Sequence, residues 1–216
     1  YDLTYWIDGE EKSSSYTDAQ ADKLTRRNTE QVGTTAKGVL TEVYVDTQAE
    51  ETTIVEIHTY LAQANADYNE KTEKLSLTIY IGVNTPKMDT STKTPTEITI
   101  SRTVSSDDFA VENYEKDDVV LVTYAGEDKE IKSISDPDVI SGVALSSYST
   151  YGKDAEEKAY MMKAVTADGT KYDAALDSAW DAEYLYNYDL KQLKDHSWNV
   201  YLDQYGYVLG LENVGA

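Results

Sequence analysis

The chain has 216 residues, and 40 Asp and Glu residues against 19 Lys and Arg residues give it a formal net charge of −21. This field repels phosphate backbones and anionic headgroups, so nucleic acids and membrane insertion are disfavoured. Cysteine is absent, which excludes disulfides, thiolate zinc sites and thiol nucleophiles. Hydrophobic residues make up 40% of the chain, enough for the acidic excess to coat a folded core.

The first 32 residues are predicted to form a lead-in. Residues 1–8 have the composition of a strand, and residues 9–15 form a polar turn. Thr17 or Asp18 provides the N-cap of a short helix that ends near Arg27. Because the chain begins at Tyr1 and contains no apolar run of membrane-spanning length, it is expected to be a piece of a longer precursor.

Residues 33–137 are predicted to form a first β-module. Most of its strands alternate apolar and polar residues with a period of two, as half-buried strands do. Pro86 and Pro95 place a loop at a sheet edge between two of them. The continuous apolar run at 119–122 predicts a strand that is covered on both faces. The predicted strands are residues 39–46, 52–61, 75–81, 98–104, 118–124 and 131–134.

Residues 138–216 are predicted to form a second β-module that repeats the first in a degenerate form. The sequence after Gly38 is echoed after Gly142, and each copy ends in a strand, a glycine turn and a strand. Asp168-Gly169 is a hairpin dipeptide between strands at 160–167 and 171–174. Residues 189–195 are expected to add a helical turn.

The end of the chain predicts a β-hairpin. Gly206 supplies a residue that can take a positive φ in the turn. The strands on either side alternate, so that each set of apolar residues is expected to share one face of the sheet. These sets are Trp198, Val200 and Leu202 before the turn, and Tyr207, Leu209 and Leu211 after it.

No catalytic or cofactor-binding constellation is evident in the sequence. His58 is placed at an outward or edge position of a strand, and His196 precedes the last hairpin; neither has a partner at ligand spacing. Acidic groups could supply oxygen ligands to Ca²⁺, but none has EF-hand spacing, so the alternative is turn-capping. These calcium candidates are Asp107, Asp108, Asp117, Asp118, Asp136 and Asp138.

Tyrosine outnumbers phenylalanine by 19 to 1. A tyrosine ring packs much as phenylalanine does, while its hydroxyl tolerates water, so it suits strands with a wet face. The alternative is an aromatic platform that stacks on sugars.

Five stretches cover about half of the chain: the starts at Gly38 and Gly142, the strand at 118–123, the hairpin at 168–172, and the end at 201–208. Together they resemble repeats in secreted Gram-positive surface proteins that are anchored by S-layer homology domains. The resemblance implies two small, mainly antiparallel barrel- or sandwich-like modules, similar to open OB-like barrels, with one or two short helices. It implies an extracellular location at the cell wall and supplies no catalytic residues, and the anchoring domain itself is not seen.

These observations predict a non-catalytic structural or binding segment of an extracellular S-layer-type protein. Its expected partners are cell-wall or host glycans, or neighbouring copies of the surface protein. The alternative is a carbohydrate-binding accessory module, or a glycosidase whose paired carboxylates meet only in three dimensions.

Overall fold

The computed structural model describes residues 2–12, 34–36, 38–81, 99–150, 162–175 and 194–215. These residues form fifteen strands in three five-stranded sheets. The prediction of a mainly β fold built from small barrel- or sandwich-like sheets is confirmed. Within the described ranges, no helix is long and apolar enough to cross a bilayer.

Sheet 1 contains the first five strands, in the order β2-β1-β5-β4-β3. Their bounds are β1 Asp2–Ile7, β2 Glu10–Lys12, β3 Thr34–Ala36, β4 Val39–Asp46 and β5 Glu51–Ile57. β1 pairs with β5 in parallel, and the other pairs are antiparallel. The predicted polar turn at 9–15 is wrong in part, because Asp8 and Gly9 at φ 48° and 73° already reverse the chain into β2. The helix predicted to end near Arg27 lies outside the described residues.

Sheet 2 is a curled half-barrel in the order β10-β9-β6-β7-β8. Its strands are β6 Tyr60–Ala64, β7 Lys74–Tyr80, β8 Thr99–Ser105, β9 Val119–Ala125 and β10 Glu130–Ser135. The prediction that the apolar run in β9 is covered on both faces is confirmed. Val120 and Val122 lie in the half-barrel core, while Leu121 packs with Tyr201 and Leu209 on the other face.

The prediction of a single strand from residue 52 to residue 61 is wrong. The chain leaves sheet 1 after Ile57 and enters sheet 2 at Tyr60. The break is fixed by a side chain from another strand connection, because the His58 N–H donates to Asp8 Oδ1 at 2.9 Å. The predicted edge loop at 85–96 lies outside the described residues.

Sheet 3 has the order β13-β12-β11-β14-β15. Its strands are β11 Asp138–Thr150, β12 Met162–Ala167, β13 Thr170–Asp173, β14 Ser197–Leu202 and β15 Val208–Gly215. The Asp168-Gly169 hairpin turn is confirmed by φ values of 50° and 77°, and Gly206 in the last turn has φ 85°. The helical turn predicted at 189–195 falls almost entirely outside the described residues.

One detail of the last hairpin differs from the prediction. Leu209 and Leu211 do not share a face: Leu211 lies in the sheet 3 core, whereas Leu209 packs with Leu61 and Leu121 of sheet 2. The reason is a register shift, because Leu202 pairs with Val208 while Tyr201 pairs with Gly210. The extra residue makes a β-bulge that turns Leu209 toward the neighbouring sheet.

The sheets divide the chain differently from the predicted modules. Strands predicted to belong to one module at 33–137 are shared between sheet 1 and sheet 2. No pairing between described strands crosses residue 137. The module boundaries themselves stay a prediction.

Candidate functional site

The two edge strands of the half-barrel, β8 and β10, border a groove of about 660 Å³. We call it the seam groove. Six charged side chains line it, together with Phe109 and several smaller residues. The charged residues are Lys74, Arg102, Asp108, Asp128, Glu130 and Lys132.

Arg102 holds the two sides of the seam groove together. It lies on β8 opposite Leu77 of β7. Ile100 and Val104, two residues before and after it on β8, pack in the half-barrel core. Its guanidinium donates to three backbone carbonyls: Nε to Lys129 at 3.2 Å, Nη1 to Ser101 at 2.7 Å, and Nη2 to Asp128 at 2.9 Å. An inward charge on an edge strand also discourages pairing with a foreign strand.

The other two cations of the seam groove differ in their neighbours. Lys132 Nζ lies 3.5 Å from Glu130 Oε2, in an exposed ion pair that contributes little to stability. Among the described residues, no carboxylate lies within 4.0 Å of Lys74 or Arg102. Sequence reasoning missed this groove; the available signal was one arginine at an otherwise apolar position of an alternating strand.

Sheet 1 meets sheet 2 at a buried polar cluster, the Asp8 junction, formed by Tyr5, Asp8, Glu56, His58 and Tyr60. The Asp8 side chain accepts from the His58 N–H at 2.9 Å and from the Tyr60 hydroxyl at 2.6 Å. Its backbone donates to the Glu56 carbonyl at 2.9 Å and accepts from the Gly126 N–H, beyond β9, at 2.8 Å. Asp8 is only 6% exposed, so these bonds form away from water.

Glu56 and His58 complete the Asp8 junction. Glu56 Oε2 accepts from the Tyr5 hydroxyl at 2.8 Å and lies 3.6 Å from His58 Nε2. The predicted outward position of His58 is wrong, because the connection between β5 and β6 turns the ring inward. Its side chain is 11% exposed, and its ring stacks against Tyr60, which in turn stacks on Tyr124 at 4.7 Å.

His196 has a different environment. Its ring lies edge-on to Trp198 at 6.2 Å between centroids, and its Nδ1 is 3.4 Å from Asn213 Nδ2. These contacts tie the start of the last hairpin to its far end.

Sheet 3 meets the rest of the molecule at the Asp203 junction, formed by Gly38, Thr59, Asp203 and Gln204. Asp203 is 1% exposed, and its Oδ1 accepts from the Tyr205 and Tyr207 N–H groups at 2.9 Å each. Gln204 Nε2 donates to Thr59 Oγ1 at 3.0 Å.

Burial dominates the electrostatics of Asp203. It raises the pKa of Asp203, against three backbone N–H groups that lower it. Oδ2 has no hydrogen-bond donor within reach among the described residues. A Cβ at Gly38 would lie 2.5 Å from this atom, and Gly38 has φ 88°, so only glycine fits there. The sequence showed both residues but not that they touch.

The structure separates the calcium candidates. Asp107 and Asp108 lie in the turn after β8, and Asp117 precedes β9 with φ 71°. Asp138 begins β11. Within the described ranges, no three His, Cys, Asp or Glu side chains are placed to hold a metal ion. The calcium site stays a prediction.

The two remaining candidates, Asp118 and Asp136, lie near Tyr114. The Tyr114 hydroxyl donates to Asp136 Oδ1 at 2.7 Å, and Asp118 Oδ2 accepts from the Glu115 N–H at 2.8 Å. Burial, the bond to Asp136 and the charges of Asp136 and Asp118 raise the pKa of Tyr114 to about 12. The Asp118 contact stabilises a turn, whereas the Asp136 contact joins residues 22 positions apart.

Comparison with protein-family models, with curated proteins and with solved structures found no match. The seam groove and the two junctions are therefore the features from which a function can be proposed.

Proposed function

We propose that this chain is a non-catalytic structural segment of an extracellular bacterial surface protein. One observation carries the proposal: the three buried charged side chains among the described residues, Asp8, Glu56 and Asp203, all lie where sheets meet. Their oxygens accept from backbone N–H groups and tyrosine hydroxyls. A buried carboxylate used in this way fixes one element against another.

The chemistry of the junctions supports a structural role. A general acid or base must reach a reacting proton on a substrate. Asp8 instead accepts two hydrogen bonds from within the protein, and Asp203 lies against Gly38. The buried carboxylates of the two junctions thus contact groups of the protein itself.

Composition supports the location. A cysteine-free chain with a net charge of −21 stays soluble by self-repulsion. The stretches from Gly38, Gly142 and residues 201–208 resemble surface-protein repeats.

Two measurements test the proposal. The full chain is incubated with a panel of cell-wall and host polysaccharides, and newly released reducing sugars are quantified; we expect no turnover. Antibodies against the chain are applied to intact cells of the organism that makes it, and we expect labelling without lysis.

Either opposite result overturns the proposal. Sustained sugar release would assign a glycosidase, and loss of that release in Asp128→Asn or Glu130→Gln would place its carboxylates in the seam groove. Labelling only after lysis would contradict an extracellular location.

A further inference from the structure

We propose that the seam groove binds a sugar that carries a carboxylate, and that Arg102 receives this carboxylate. This inference adds a ligand site to the structural role and does not depend on it.

Arg102 has hydrogen-bonding capacity to spare. A guanidinium has five N–H groups in a fixed planar fork, and three of them donate to the carbonyls of Ser101, Asp128 and Lys129. Two N–H groups therefore remain without an acceptor among the described residues. Since the carbonyls hold the fork in place, a ligand would not have to order this side chain.

The positive charge of Arg102 is not paired with a carboxylate of the seam groove. The three seam-groove carboxylates all lie more than 4.0 Å from the guanidinium nitrogens of Arg102. Carbonyl bonds orient the guanidinium without neutralising it. A fixed arginine with free donors and no counter-ion is suited to bidentate recognition of a carboxylate.

The seam groove differs in net charge from the molecule as a whole. Three cations and three carboxylates line it, so it is locally neutral in a chain that carries −21. A singly charged group can approach here, whereas a doubly charged phosphate would meet the acidic field of the protein more strongly.

The hydrogen-bond acceptors of the seam groove favour a sugar over a peptide as the ligand. Asp108, Asp128 and Glu130 accept hydrogen bonds when ionised and donate none. A sugar ring brings several hydroxyl donors for them, a carboxylate for Arg102, and an apolar face for Phe109. An acidic peptide brings the carboxylate and one backbone N–H donor per residue, fewer than the several hydroxyl donors of each sugar ring. The volume of about 660 Å³ lies in the usual range for ligand sites.

Titration calorimetry on the full chain tests this inference, with a disaccharide of one neutral galactose and one galacturonic acid as the singly charged probe. The methyl ester of the same disaccharide is the matched control, because it keeps the hydroxyls and lacks the charge. We expect saturable binding of the acid form and at least about tenfold weaker binding of the ester. Oligoglutamate is expected to bind more weakly than the sugar acid.

Variants locate the site. Arg102→Gln is expected to weaken binding of the acid form by at least about tenfold. Lys171→Gln, an exposed position on β13 of sheet 3, removes the same charge elsewhere and should leave affinity unchanged. If Arg102→Gln lowers the unfolding midpoint, its loss of binding could reflect unfolding. The double variant Lys74→Gln/Lys132→Gln then tests the site, because it keeps the hydrogen bonds from Arg102 to the carbonyls. We expect it to weaken binding of the acid form about threefold.

Four results would overturn the inference. The first two are no saturable binding up to about 10 mM and equal affinity for acid and ester. The third is unchanged affinity in Arg102→Gln or, where that variant is destabilised, in the double lysine variant. The fourth is oligoglutamate binding as tightly as the sugar acid. None of them affects the proposed structural role, which fails instead on sugar release or on an intracellular location.

Discussion

Removing the Asp8 side chain should destabilise the contact between sheet 1 and sheet 2. In Asp8→Ala, the His58 N–H and the Tyr60 hydroxyl lose a charged acceptor at 2.9 and 2.6 Å. Both groups are largely shielded from water, so neither can readily replace the lost hydrogen bond with one to water. Hydrogen bonds to a charged group contribute about 1.5–3 kcal/mol each, and they share one acceptor. We expect a loss of about 3–5 kcal/mol in the free energy of unfolding.

A second dipeptide of the same chain provides a matched control. Asp8 has φ 48° before Gly9 at 73°, and Asp168 has φ 50° before Gly169 at 77°. Asp168 is exposed and caps a hairpin of sheet 3. Asp168→Ala therefore carries the same left-handed backbone strain, about 1–2 kcal/mol, without the buried hydrogen bonds.

Urea unfolding followed by tryptophan fluorescence measures both variants. Because the slope rises with chain length, about 2.5–3 kcal/mol per molar urea is expected for this chain, and Asp8→Ala should lower the midpoint by about 1–2 M more than Asp168→Ala. Asp8→Asn keeps an acceptor for the His58 N–H and should cost about 1 kcal/mol. Equal midpoints for the two alanine variants would refute the junction as an energetic contact.

Three further predictions concern the junctions and Tyr201. In urea unfolding, Gly9→Ala should lower the free energy of unfolding by about 1–3 kcal/mol more than Gly169→Ala. The reason is that a Cβ at Gly9 would lie 2.8 Å from Ala125 Cβ, while nothing lies within 4 Å of a Cβ at Gly169. Equal losses would contradict this packing. Burial raises the pKa of Asp203 above 3.8, so its contribution to stability is greatest below that pH and falls as the pH rises through the folded value. Asp203→Asn should therefore gain stability relative to the wild type as the pH rises above 3.8, and parallel pH profiles would contradict this. Burial and the Glu212 charge raise the pKa of Tyr201 from 10.0 to about 12, so wild-type stability should fall more steeply than that of Tyr201→Phe across this interval; identical alkaline profiles would argue against it.

Local patterns in the sequence predicted the parts of the fold that local chemistry determines. The Asp168-Gly169 turn needs only two residues with positive φ, and the apolar run of β9 needs only cover on both faces. The Asp8 junction joins residues 50 and 52 positions apart. No periodicity reports such a contact, so the break after Ile57 and the inward His58 ring were missed.

The candidate site was hidden for the same reason. Arg102 donates to carbonyls 26 and 27 positions away, and the seam groove exists only because the sheet curls until its edges approach. Gly38 and Asp203 were visible as parts of separate motifs, while their contact depends on how sheet 3 packs. The bulge at Leu209 is likewise set by what it packs against in sheet 2.

We expect the buried junctions to unite the three sheets into one structural unit. Scanning calorimetry of the full chain tests it most directly, by comparing the calorimetric with the van't Hoff enthalpy of unfolding. We predict one transition with a ratio near one for the wild type, and one transition at a lower temperature for Asp8→Ala. Several resolved transitions in the wild type, one for each sheet, would contradict the claim.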